Sequence, residues 1–89
     1  MTFEVSPNPA FERASLRFVL PRAGQVRLAV FDAAGRVVRE LASGEREAGA
    51  HAETWDLRDA NGRLARAGLY FARLEAGGAA RVLRVAVTR

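Results

Sequence analysis

Hydrophobic and polar residues alternate along most of this chain with a period of two, the pattern of β-strands that bury one face. Turn-forming residues separate the alternating segments at intervals of about ten residues. The pattern predicts seven strands, which are Thr2–Val5, Ala14–Leu20, Gln25–Phe31, Arg36–Leu41, His51–Leu57, Gly68–Glu75 and Ala80–Arg89. Seven short strands of this kind predict an all-β fold, a seven-stranded antiparallel immunoglobulin-like β-sandwich formed by residues 1–89 as a single domain.

The residues between the strands predict how each strand ends. Pro7 and Pro9 follow the first strand, and because proline cannot donate to a β-ladder, this strand is expected at a sheet edge. Asp32–Gly35 predicts a tight hairpin, and Asp59–Gly62 predicts a second reversal, since Asp, Asn and Gly favour turn geometry. The charged segment Ala42–Gly49 is expected to be a loop because glycine weakens regular structure.

Consecutive valines interrupt the alternation in the fourth predicted strand. Val37 and Val38 would point to opposite faces of a regular strand. Either both faces of this strand are partly covered, or the strand contains a β-bulge.

The side chains predicted to face inward converge on one core, in which Trp55 is the largest member. The predicted core includes Phe18, Leu28, Val30, Trp55, Tyr70, Leu74 and Val85. The final strand should turn Leu83, Val85 and Val87 inward and Arg84 and Arg89 outward. Gly68 and Tyr70 open the sixth strand in a Gly-x-Tyr arrangement that is consistent with a tyrosine corner.

Four further hydrophobic residues are expected to point away from this core: Val19, Phe31, Leu69 and Phe71. They form either an exposed patch for a partner or a surface beneath the Pro7–Ala14 and Ser43–Gly49 loops.

Composition excludes several classes of function. The chain has 89 residues and no cysteine, so a disulfide framework, a thiolate metal site and a catalytic thiol are all excluded. No apolar run approaches the length of a membrane span, and no basic segment followed by an apolar one opens the chain, so neither membrane insertion nor a leader is expected within these residues.

The net charge of +4 comes from fourteen basic residues, all of them arginine. These arginines are spread along the chain among ten acidic residues, which favours solvated strand faces over a nucleic-acid interface.

The polar residues predict no catalytic site and no bound cofactor. Asp56, Asp59 and Asn61 are close in sequence, but an Asx turn explains them better than a calcium loop, whose acidic spacing they lack. His51 has no second ligand nearby and is expected to be an exposed residue at a strand start. Ser15 and Ser43 lack suitable partners for a triad. The protein is therefore not expected to be an enzyme.

The order of motifs along the whole chain resembles one known family. These motifs are Pro7–Phe11, Leu16–Pro21, Val26–Arg39, Trp55–Gly62 and Gly68–Leu74. They are similar to the C-terminal sorting domains of proteins exported by the type IX secretion system and to the related immunoglobulin-like domain of flagellar hook-capping proteins.

The resemblance implies a sorting and anchoring signal at the end of a longer secreted or surface protein, which reaches its destination through the periplasm. Its implied partners are the type IX translocon, a sortase-like peptidase and a covalently linked N-terminal cargo domain. The implied recognition residues are Gly68, Tyr70, Arg81, Arg84 and Arg89. The family usually has lysine in the final strand, and arginine differs from lysine in hydration and donor geometry.

Two other functions remain open from the sequence. One is an accessory carbohydrate- or protein-binding module of an extracellular enzyme. The other is a part in hook capping, which would need a preceding flagellar assembly region.

Overall fold

The computed structural model describes all residues, 1–89, and contains strands and turns only. The seven strands are β1 (Thr2–Ser6), β2 (Ala14–Leu20), β3 (Gly24–Asp32), β4 (Val37–Arg46), β5 (Gly49–Trp55), β6 (Gly68–Ala76) and β7 (Ala79–Val87). No helix that is long and apolar enough to cross a bilayer occurs in it.

The strands form two antiparallel sheets that pack face to face. The smaller sheet has the order β1-β2-β5, and the larger sheet has the order β4-β3-β6-β7. The predicted seven-stranded antiparallel β-sandwich is confirmed, and β1 lies at a sheet edge as its prolines indicated.

Successive strands alternate in direction, so the sandwich has two distinct ends. We call the end that holds segments 7–13, 33–36 and 56–67 the upper end, and the end that holds the turns 21–23, 47–48 and 77–78 the lower end. The chain begins at the lower end, and residues 88 and 89 follow β7 at the upper end.

One hydrophobic core fills the space between the sheets. Trp55 from the smaller sheet meets Tyr70 from the larger sheet edge to face, with ring centroids 5.4 Å apart. The seven residues predicted from the sequence to form the core are all buried: Phe18, Leu28, Val30, Trp55, Tyr70, Leu74 and Val85.

The predicted loop Ala42–Gly49 is wrong, because most of it is strand. β4 continues to Arg46 and β5 begins at Gly49, which leaves only Glu47 and Ala48 between them. Gly44 has a φ of +113°, which glycine adopts readily, and it pairs with Val26 of β3. Pairing with β3 therefore holds a segment whose own strand propensity is weak.

Of the two alternatives left open for Val37 and Val38, the structure shows the bulge, and a second bulge follows it. The register with β3 jumps at two points, so that Val38 and Leu41 have no opposite residue. Both side chains are half-buried and pack against the core. The bulges turn these two residues inward and restore the alternation of the strand beyond them.

Two turns at the upper end share one hydrogen-bonding pattern. Asp32 Oδ1 accepts the backbone N–H groups of Ala34 and Arg36, each at 2.9 Å. Asp59 Oδ1 accepts those of Asn61 at 2.9 Å and Arg63 at 3.0 Å. Each aspartate thus satisfies donors that the reversal leaves unpaired, and the Asx turn predicted at Asp59 is confirmed.

The buried indole predicts a large effect for Trp55→Ala. We expect the free energy of unfolding to fall by about 3–5 kcal/mol, the usual cost of removing a buried aromatic side chain. Thermal and denaturant unfolding measure the change. Leu64→Ala, at an exposed hydrophobic residue, serves as the control and should melt close to the parent; coincident melting curves for Trp55→Ala and the parent would contradict the assignment.

A second prediction concerns the acid stability of the β3–β4 turn. The backbone N–H of Arg36, helped by that of Ala34 and by the Arg36 guanidinium, holds the pKa of Asp32 below its ordinary value of 3.8. A carboxylate with a depressed pKa contributes stability that is fully present above its unfolded-state pKa and is lost as the pH falls through the folded-state pKa.

Asp32→Asn should therefore have a lower Tm than the parent at pH 7, and the gap should narrow below about pH 4. Thermal melts of both proteins between pH 7 and pH 2 measure this gap. A gap of constant size across that range would show that the charge of Asp32 contributes nothing.

Candidate functional site

The last strand, β7, forms one edge of the larger sheet, and β6 is the only strand that pairs with it. Val85 and Val87 are buried and Leu83 is half-buried, as the sequence predicted for this face. Val82 and Arg84 lie on the opposite, outer face and are exposed. The strand therefore closes the core with one face and presents the other face to solvent.

The three arginines implied as recognition residues do not share one surface. Arg84 lies on the outer face of β7. Arg81 is on the same face of the strand as the core residues, but it lies at the lower end, beyond the core. Arg89 does not simply point outward as predicted, because its guanidinium donates to the carbonyl of Ala65 at the upper end. Only Arg81 and Arg84 belong to the same half of β7.

Neither Arg81 nor Arg84 has a carboxylate partner. Six of the fourteen arginines are in ion pairs with Asp or Glu, and these two are not among them. The Arg81 guanidinium donates only to the carbonyl of its neighbour Ala80, at 3.2 Å. Both charges are thus exposed and uncompensated on a strand whose edge is not paired with another strand.

The segment that follows β1 covers the upper half of the β7 edge. The side chain of Asn8 accepts the N–H of Ala86 at 3.0 Å and donates to the carbonyl of Arg84 at 2.9 Å. The N–H of Ala10 donates to the carbonyl of Ala86 at 2.7 Å, and the N–H of Thr88 donates to the carbonyl of Ala10 at 2.9 Å. The carboxamide of Asn8 thus takes the place of a backbone peptide group.

Sequence reasoning did not identify Asn8 as part of this site. The available signal was an asparagine between two prolines, directly after an edge strand. Proline removes backbone donors, so a side chain with both a donor and an acceptor is the group that can satisfy a neighbouring strand there.

Gly68 and Tyr70 act within the fold. Tyr70 is 8% exposed, and its hydroxyl donates to the carbonyl of Arg66 at 2.7 Å, as a tyrosine corner requires. Gly68 has a φ of +151°, a conformation that side chains disfavour. The Gly-x-Tyr arrangement therefore fixes how the chain enters β6. Tyr70 offers little surface to a partner, whereas Gly68 is exposed.

Several apolar side chains share the outer face of the larger sheet. Val37, Phe31 and Phe71 are opposite one another across β4, β3 and β6, and Arg84 of β7 completes the row. We define the outer apolar face by its five residues, Phe31, Val37, Leu69, Phe71 and Val82. Val37, Leu69 and Val82 are exposed, so the loops do not cover this face.

Val19 does not belong to that surface. It is also exposed, but it lies on the outer face of the smaller sheet, on the other side of the molecule. The four residues predicted to point away from the core therefore form no single patch.

The remaining polar candidates have structural roles. His51 is half-buried rather than exposed, because its ring stacks on Phe18 at 5.3 Å and its Nε2 lies 2.7 Å from the carbonyl of Glu47. Asp56 Oδ1 lies 2.9 Å from the Arg39 guanidinium. No group of three or more His, Asp or Glu side chains is placed to hold a metal ion.

Comparison with known proteins identifies a matching family and similar solved structures. Residues 9–79 match the family described as FlgD Ig-like domain. No curated protein matches the sequence. The fold resembles that of solved structures of PorZ, described as an essential surface component of the type-IX secretion system of Porphyromonas gingivalis, and of dimeric latent PorU from the same organism. It also resembles FlgD from P. aeruginosa.

These likenesses concern one domain of larger proteins. The TM-score is 0.71 to PorZ and 0.76 to PorU, at 19% and 20% identity over 98% and 97% of this chain. The chain spans only 11% of the PorZ chain and 9% of the PorU chain. For FlgD the TM-score is 0.60 at 27% identity, over 81% of this chain and 58% of that one.

The family match covers residues 9–79, which is most of the chain, and it agrees with the two-sheet β-sandwich described above. The resemblance inferred from the sequence motifs is confirmed. The chain belongs to the FlgD Ig-like domain family.

Proposed function

We propose that this domain is a non-catalytic C-terminal sorting and anchoring domain, which directs an attached cargo protein across the outer membrane by the type IX secretion system. The likeness of its fold to a domain of PorZ and of PorU supports this proposal. The order of its sequence motifs, which resembles that of sorting domains, supports it independently.

The lower half of β7 is the observation that carries the proposal. It combines an edge strand with two exposed arginines that have no carboxylate partner, one on each face of the sheet. Such a strand offers a partner both a charge signal and a hydrogen-bonding edge. The basic final strand that the family resemblance implies thus corresponds here to Arg81 and Arg84.

The absence of catalysis is part of the proposal. The carboxylates of Asp32, Asp56 and Asp59 accept hydrogen bonds within turns. The domain would act by binding, as the terminal part of a longer precursor, with the translocon and a sortase-like peptidase as partners. Its place would be the cell surface or the exterior, and neither nucleic acid nor membrane insertion has a role.

The outer apolar face favours a second function, an accessory protein-binding module. Three exposed hydrophobic residues on one sheet face, Val37, Leu69 and Val82, are a common feature of protein interfaces. In that case binding would depend on this face and would tolerate changes at Arg81.

A fusion assay in a host with a type IX system tests the sorting function. A signal peptide and a reporter are joined to residues 1–89, and the reporter is measured outside the outer membrane. Deleting β7 is unsuitable because Val85 and Val87 belong to the core. The double variant Arg81→Glu with Arg84→Glu should instead reduce release by about tenfold, the equivalent of about 1.4 kcal/mol of binding energy.

The matched control is Arg13→Glu with Arg63→Glu, which makes the same change of charge at two exposed, unpaired arginines of the upper end. It should leave release unchanged, and both double variants should melt like the parent. Retention of the unmodified fusion in the periplasm would reject the sorting function. Equal loss in both double variants would show a general effect of charge.

A further inference from the structure

The lower half of β7 has an unpaired backbone edge. Ala86 directs its N–H and C=O groups away from β6, toward Asn8 and Ala10. Because every second residue of a strand directs these groups to the same side, residues 80, 82 and 84 also direct theirs away from β6. The carbonyl of Arg84 is bonded to Asn8, and that of Ala80 accepts only the Arg81 guanidinium. The three N–H groups and the carbonyl of Val82 have no protein partner.

The chain itself shows that this edge accepts another segment. Ala10 pairs with Val87 in parallel orientation, directly above the unpaired groups. The covering segment stops at Asn8 because Pro7 and Pro9 have no N–H to donate to the strand. The edge below Asn8 is therefore an unfinished ladder, about five residues or 17 Å long.

The other sheet edges are less suitable for a charged partner. The Ala60 N–H donates to the Val38 carbonyl and so covers the upper part of β4. On the edge strands of the smaller sheet the charges are paired within the protein: Glu4 on β1 is paired with Arg17, and Glu53 on β5 is paired with Arg46.

The charges around the unfinished ladder select an acidic partner. Arg84 lies on the outer face and Arg81 on the inner face, so that an added strand would meet one guanidinium on each side. Arg22, which also lacks a carboxylate partner, and Arg81 line an open depression of about 1000 Å³ at the lower end. Met1, a half-buried hydrophobic residue directly before β1, lines the same depression.

We propose that the β7 edge from Ala79 to Arg84 is a strand-addition site for an extended acidic segment of a partner protein. The backbone of the segment would complete the ladder, and two consecutive acidic residues would direct one carboxylate to Arg81 and the other to Arg84. This inference deepens the proposed function, on which its biological meaning rests, by stating the chemistry of the partner.

A peptide titration tests the site without any secretion machinery. The ¹⁵N-labelled domain is titrated with the synthetic peptide acetyl-Val-Glu-Glu-Val-Thr-Val-amide, and amide shifts are followed by NMR. We expect saturable shifts at Ala80, Val82 and Arg84, together with slower hydrogen exchange at Val82. The same peptide with Lys-Lys in place of Glu-Glu should bind at least about tenfold more weakly, because it brings like charges together.

Two variants separate backbone pairing from charge. Val82→Pro removes an N–H that does not belong to the β6 ladder, so the fold should persist while peptide binding is lost. Val82→Thr keeps the N–H and should bind like the parent. The double variant Arg81→Glu with Arg84→Glu should reverse the peptide preference and bind the Lys-Lys peptide more tightly than the Glu-Glu peptide. This second variant tests the site even where Val82→Pro fails to fold.

The outcomes distinguish this inference from the proposed function. Shifts that are absent, or that map instead to Phe31, Val37, Leu69 and Phe71 or to β1 or β5, would overturn the strand-addition site. Peptide binding at β7 by a domain whose fusion stays in the periplasm would keep the site and reject the sorting function. Export of the Val82→Pro fusion at the parental level would exclude this edge from export, and unaltered peptide binding by that variant would overturn the site itself.

Discussion

The contact between Trp55 and Tyr70 is the interaction on which the rest of this structure depends. Trp55 ends β5 in the smaller sheet and Tyr70 lies near the start of β6 in the larger one, so their rings join the two layers. The segment between them crosses from one sheet to the other. The indole N–H donates to the carbonyl of Arg58, and the Tyr70 hydroxyl donates to that of Arg66, so each aromatic residue also holds one end of the crossing.

This arrangement has a cost and a compensation. Leu57 follows Trp55 with a positive φ of 61°, which is unfavourable for leucine, yet its side chain is fully buried. Burial of a leucine side chain contributes about 1.5–3 kcal/mol, which is comparable to the strain. The crossing thus adds to the core, and no side-chain polar atom is buried without a hydrogen-bond partner.

The way in which the sheet edges are covered connects the fold with its proposed role. A small β-sandwich must cover its exposed edges or make them unattractive to other strands. Here Ala60 covers part of β4, and Asn8 and Ala10 cover the upper half of β7. The lower half of β7 is left uncovered beside two unpaired arginines, which is why both the sorting proposal and the strand-addition site rest on it.

The sequence by itself determined the seven strands, the core and the turns, because these depend on the spacing of residues that are neighbours in the chain. The alternation of hydrophobic and polar residues placed Phe18, Leu28 and Val85 in the core. The pair Asp59 and Asn61 predicted the Asx turn at Asp59. The sequence-based prediction of a loop was wrong for Ala42–Arg46, where pairing with β3 overrides the weak strand propensity of Ser43 and Gly44.

Only the tertiary structure decided the candidate site. Asn8 meets Arg84 and Ala86 across more than seventy residues of chain, and Arg89 meets Ala65 through the packing of the upper end. Which half of β7 is open, and which arginines lack partners, follows from contacts between segments that are distant in sequence. No local pattern records such contacts, because they arise only when two sheets bring their edges together.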